Sequence, residues 1–173
     1  MKISLLTLML LQTVIHTTEP GSAPAPPPVE RKGNPEALVY SNDRDAKADV
    51  ENAIADAKLS GKTVIIIMGA NWCHDSVGLA GLLNTPRFTE MTRDRYKIVY
   101  VDIGMPQTGK GRNLDIAKRF GIGKVKSTPL VMLVSADGLL LNTKKDAASW
   151  RNAASRSEDD IYRYFAEFAP PAK

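Results

Sequence analysis

Apolar positions along the chain fall into two rhythms. Between Ser41 and Ser60, Val50, Ala53, Ile54 and Ala57 recur at intervals of three and four, the period of an amphipathic helix, and Gly61 follows as a stop. Thr63 to Met68, T-V-I-I-I-M, is a continuous β-branched run without polar alternation, as expected of a central strand covered on both faces, and it ends at Gly69. Tyr96 to Ile103 predicts a second strand. Leu130 to Ser135, the Asp137-Gly138 pair and Leu139 to Leu141 predict a hairpin with a tight turn. Helical patterns fill the gaps at Ser76–Leu83, Pro86–Arg93, Leu114–Phe120 before Gly121, and Glu158–Phe168 before the closing prolines. This alternation predicts an α/β layer architecture with a parallel portion and an antiparallel hairpin at one side.

The first fifteen residues break the pattern. One lysine precedes an apolar run from Ile3 to Ile15, too short to span a bilayer, which is the layout of a secretory signal. Thr17 to Pro28 is proline-rich and can neither continue a helix nor pack. The division expected is a signal peptide over 1–23, a proline-rich linker over 24–40 and a folded domain over 41–173. The small-residue sites G-S-A and A-P-A are each followed by proline, a poor context for cleavage. Export to a periplasmic or other extracytoplasmic space is the expectation, with membrane contact only where the signal stays attached.

Length and composition limit the chemistry. A chain of 173 residues suits one domain core, and 43% hydrophobic with 24% charged residues is ordinary globular composition. One cysteine and two histidines exclude an internal disulfide and a Cys/His zinc site, so no metal and no cofactor are expected. The net charge of +4 arises from 23 basic and 19 acidic residues that are interleaved; the densest basic stretch, Arg112–Lys126, also carries helical apolar spacing. It reads as a solvated helix face, and no nucleic-acid partner is expected.

Cys73 then needs an explanation. It lies in G-A-N-W-C-H-D-S, where the first central strand gives way to a helix. Sulfur at a helix N-terminus meets the positive end of the dipole and unpaired N–H groups, which favour the thiolate. His74 adds positive charge when protonated, Asp75 acts in the opposite sense, and Ser76 lies on the same helical face, within reach of the sulfur. An inert buried thiol is the plain alternative. His74-Asp75-Ser76 contains the residue types of a hydrolase triad, but consecutive helical residues point apart and cannot align. Met68 and Met132 read as core and Trp150 as packing against the last helix.

The W-C-x-x-S motif after a β-branched strand, together with K-S-T-P-L-V-M-L-V-S-A-D-G at Lys126–Gly138, resembles the thioredoxin superfamily, closest to its exported W-C-x-x-C members, over about Asp45 to Phe168. The resemblance implies a thioredoxin fold, a central mixed sheet flanked by helices with an antiparallel C-terminal hairpin. It implies a cis Thr128-Pro129 bond beside the cysteine, with Thr128, Pro129 and Trp72 contacting substrate. Two departures agree with each other: the resolving cysteine is Ser76, and the buried acid that would serve it is Ile67. Gly104–Asn113 is longer than a compact member needs; it reads as a surface loop or as a substrate-facing lip.

The expected function is that of a monothiol protein. Cys73 would form mixed disulfides with protein thiols and disulfides or with glutathione, steadied by Ser76 and His74, in isomerase-like exchange or deglutathionylation. A non-catalytic binding or chaperone module on the same fold is the alternative, and peroxide sensing through a Cys73 sulfenic acid a third.

Overall fold

The computed structural model describes residues 35–171; the signal segment and residues 24–34 of the proline-rich linker lie outside this range. In chain order the elements are α1 (Ala46–Ser60), β1 (Thr63–Gly69), α2 (His74–Leu83), α3 (Pro86–Thr92) and β2 (Tyr96–Asp102), then the two-residue strands β3 (Gly104–Met105) and β4 (Lys110–Gly111). They continue with α4 (Leu114–Arg119), β5 (Leu130–Val134), α5 (Lys144–Ala148), a 3-10 segment (Ser149–Ser155) and α6 (Glu158–Glu167).

Among the described residues the main sheet has three strands in the order β2-β1-β5, with β1 parallel to β2 and antiparallel to β5. Every residue of β1 is buried, as its unbroken apolar run requires of a strand covered twice. Alternation then divides its side chains. Val64, Ile66 and Met68 join α1, α4 and α5 in an aliphatic layer, whereas Ile65 and Ile67 face α2, α3, α6 and Trp150 in an aromatic one. Each such side chain contributes roughly 1.5–3 kcal/mol relative to exposure.

Local signals act where the chemistry says they should. The Asp45 carboxylate accepts from the Ala48 N–H and starts α1 there, so Ser41–Asp45 is not helical as the periodicity alone predicted. Gly61, at φ 73°, closes it. Pro86 occupies the first turn of α3, and Ser157 caps α6 through the Asp160 N–H.

Four further features differ from the sequence expectations. The C-terminal hairpin turns at Asp137-Gly138, but its return arm makes a single bridge, Val134 with Leu140, and no second strand. Short helical stretches over 144–155 went unpredicted; their apolar residues Ala147, Trp150 and Ala153 are buried but too few to set up a period. Gly104–Gly111 folds into a small hairpin around a 3-10 turn. Finally, residues 35–40, assigned to the end of the linker, pack on α2: the Ala37 N–H donates to the Val77 carbonyl at 3.0 Å, and Tyr40 is 5% exposed. Gly81 permits this approach, since a Cβ there would lie 1.5 Å from the Pro35 carbonyl oxygen.

Candidate functional site

Parallel pairing of β1 with β2 brings their C-terminal ends to one edge of the sheet, and antiparallel β5 begins at the same edge, with Leu130 opposite Met68. Three chain segments therefore meet there. They are the β1-to-α2 junction, the start of the β3–β4 hairpin, and the residues that lead into β5.

Cys73 occupies the N-cap of α2 in an extended conformation, and its carbonyl accepts from the Ser76 and Val77 N–H groups at 2.9 and 3.0 Å. Its side chain makes no capping bond. The thiol is partly exposed and donates to the Thr128 carbonyl at 3.6 Å. The Thr128-Pro129 peptide is cis, as the resemblance implied, and Thr128 is buried. Trp72 is half exposed; its indole N–H donates to the Gly104 carbonyl at 3.0 Å and fastens the hairpin to the site. At the base of that hairpin, Arg112 pairs with the buried Asp102 carboxylate at 3.1 Å, and the Asn113 amide donates to the Asp102 carbonyl at 2.8 Å.

Two neighbours of the sulfur are oriented differently from expectation. His74 is the first residue of α2 and its ring points outward, 73% exposed, with Nδ1 2.7 Å from Glu36 Oε1. Any positive charge it carries is met by that carboxylate, not directed at the sulfur. Ser76 is fully buried, and its hydroxyl has no hydrogen-bond partner among the described residues, so the expected bond to Cys73 is absent. The reason is visible at Gly69. A Cβ there would stand 2.7 Å from Ser76 Oγ and 2.7 Å from the Tyr40 hydroxyl, so both oxygens occupy the space above that glycine.

Several residues that build the site carry no motif. Tyr40 is held by Asn71, whose side-chain amide both accepts from its N–H at 3.1 Å and donates to its carbonyl at 2.8 Å. The Tyr40 hydroxyl donates to the Ser76 carbonyl at 3.3 Å. Burial raises the Tyr40 phenol well above the ordinary tyrosine value, and Tyr100 and Cys73 nearby add to the rise. Asp75 accepts from the Ala154 N–H at 2.8 Å and locks α2 to the 3-10 segment. The one signal for this scaffold was the short run Ala37–Tyr40 between the prolines and α1, too brief to read as an element. Ile67 lies fully buried in the aromatic layer where the resemblance would have an acid. Among the described residues no group of three or more His, Cys, Asp or Glu is arranged to hold a metal ion.

No family model and no curated protein matches the chain. A solved structure does: the disulphide isomerase from Xylella fastidiosa Temecula1, with a TM-score of 0.67 and 30% sequence identity, covering 76% of this chain and 96% of that one. The chain belongs to the thioredoxin superfamily. The mixed sheet flanked by helices is the thioredoxin fold. The site has one thiol, Cys73, at the start of α2, and Ser76 is buried three residues on.

Proposed function

We propose that this thioredoxin-like protein carries out thiol–disulfide exchange through Cys73 alone, on disulfides of proteins or of glutathione, in an exported compartment. What carries the reading is the placement of a partly exposed thiol at the N-cap of α2, against the Thr128 carbonyl and the cis proline. The similarity to a disulphide isomerase supports it. The apolar run at 3–15 supports export, where disulfide substrates persist.

In the forward step the Cys73 thiolate attacks one sulfur of a substrate disulfide. A Cys73–substrate disulfide forms, the old S–S bond breaks, and the other substrate sulfur leaves as a thiolate and takes up a proton. Because Ser76 cannot attack, release requires a thiol from outside: a second cysteine of the substrate, which yields isomerisation, or a small thiol such as glutathione, which yields deglutathionylation when run on a glutathionylated protein. Intact mass of the reduced protein after exposure to oxidised glutathione should show one adduct, absent in Cys73→Ser. A wild type that stays unmodified would overturn the proposal and leave the non-catalytic binding module as the reading. Ser76→Cys should introduce weak dithiol reductase activity, limited by the missing acid at Ile67.

A further inference from the structure

The two loops that flank the thiol are basic and contain no acid. Gly104–Asn113 carries Lys110 and Arg112, and residues 121–127 carry Lys124 and Lys126; neither loop has an Asp or Glu. The first loop is fastened to the site by the Trp72 bond to Gly104, and Lys110 is paired with Met105, the residue next to Gly104. The second enters the site directly. Thr128 contacts the sulfur, and Lys126 is two residues before it, within about 7 Å along the backbone.

Arg112 is offset by Asp102, but Lys110, Lys124 and Lys126 are exposed and make no ion pair or hydrogen bond with any described residue. Of the acids near the thiol, Glu36 pairs with His74, Asp75 accepts from the Ala154 N–H and Asp102 pairs with Arg112, while Asp115, in the first turn of α4, lines a hollow with Lys47 and Arg119. Three exposed lysines without an ion pair among the described residues therefore stand on the two loops that reach the thiol. The first loop and the residue fastened to it also present half-exposed apolar side chains, Met105 at 45% and Trp72 at 51%.

We propose that this rim selects acidic substrates: a polypeptide whose disulfide cysteine is flanked by Asp or Glu, held with its backbone across Trp72 and its carboxylates over Lys110, Lys124 and Lys126. This rests on the thiol-exchange reading of Cys73 and deepens it. A rim of exposed charge raises the encounter rate of an opposite-charge partner, and salt screens it. The balance is that of simple exchange: the Cys73–peptide disulfide forms, the peptide's cap leaves as a thiolate and is protonated.

The test uses two synthetic heptapeptides, each with a central cysteine capped as the disulfide of 2-mercaptoethanol and flanked by either glutamates or lysines. Rates of peptide adduct formation on the reduced protein, read by intact mass, are each divided by the rate of the carboxylate-free thiol N-acetylcysteine amide with the same peptide. At low salt the normalised rate for the acidic peptide should exceed that for the basic one by about tenfold, within the range of electrostatic steering. At about 0.5 M salt, where the Debye length is only a few ångströms, the ratio should fall towards one. The triple variant Lys110→Glu, Lys124→Glu, Lys126→Glu should reverse the preference while its thermal stability stays near wild type. Adducts from both peptides at equal normalised rates, or faster from the basic one, would overturn the acidic-substrate proposal and leave exchange at Cys73 standing. No adduct from either peptide would overturn both.

Discussion

The two layers that sandwich β1 are built from different chemistry. On one side Val64, Ile66 and Met68 meet Val50, Ala53, Ala57, Ile116 and Ala147, almost entirely aliphatic. On the other, Ile65 and Ile67 meet Tyr40, Phe88, Tyr96, Trp150 and Phe165. Aliphatic packing is adaptable and without direction, so the first layer contributes burial. The aromatic layer also carries polar tips: Tyr96 bonds the Phe165 carbonyl, the Tyr164 hydroxyl accepts from Asn142, and Tyr40 reaches the Ser76 carbonyl. Ring pairs such as Trp150 with Phe165, 5.4 Å apart, add geometry. The thiol-bearing helix rests on this layer. The side of the sheet that positions chemistry is the one whose contacts have direction.

Truncations on the two sides test that division most strongly. Trp150→Ala should cost about 3–5 kcal/mol and Ile66→Ala about 2–5 kcal/mol in urea unfolding. Per folded molecule, however, only Trp150→Ala should change the alkylation rate of Cys73, because the segment that holds Trp150 also holds Asp75. Equal effects on alkylation would dissolve the comparison.

Alkali should separate the layers next. Burial raises the phenols of Tyr40, Tyr96 and Tyr164, and pushes Tyr100 up to about 12. All four belong to the aromatic side. A phenol harder to ionise when folded contributes stability that is complete below the unfolded value near 10 and is lost as pH rises above it. Unfolding free energy should therefore fall from about pH 10 upwards, with the Tyr100 share continuing to fall to about 12. Tyr40→Phe should flatten the slope, and an unchanged slope would count against the assignment.

Gly69→Ala should cost about 1–3 kcal/mol, since its methyl enters the space of Ser76 Oγ and the Tyr40 ring with both walls fixed. Cys73→Ser should move stability least, by under about 0.5 kcal/mol, as expected of a partly exposed position outside the core. It should nevertheless remove every adduct.

What the sequence disclosed follows the same division. Continuous or periodic apolar runs announced β1, α1 and α6, because burial leaves a repeat in composition. The thiol, the cis proline and the absence of a resolving cysteine stood in short motifs. The orientations of His74 and Ser76 were not legible, since they depend on Glu36 and Tyr40, 38 and 36 residues away in the chain. Gly69 reads as a strand terminator in sequence; only in three dimensions is it the opening into which two hydroxyls converge. The return arm after Gly138 had strand-like residues, yet Leu139 and Leu141 are exposed and lack a face to cover.

The indole of Trp72 has a practical consequence. The chain has two tryptophans; Trp150 is fully buried among rings, while Trp72 is half in solvent, next to the thiol and tied to the basic hairpin. Their emission should separate by wavelength and by access to a soluble quencher. A substrate joined to Cys73 would shield the outer indole and leave the inner one unchanged, so the protein carries its own fluorescent gauge of whether its thiol is occupied.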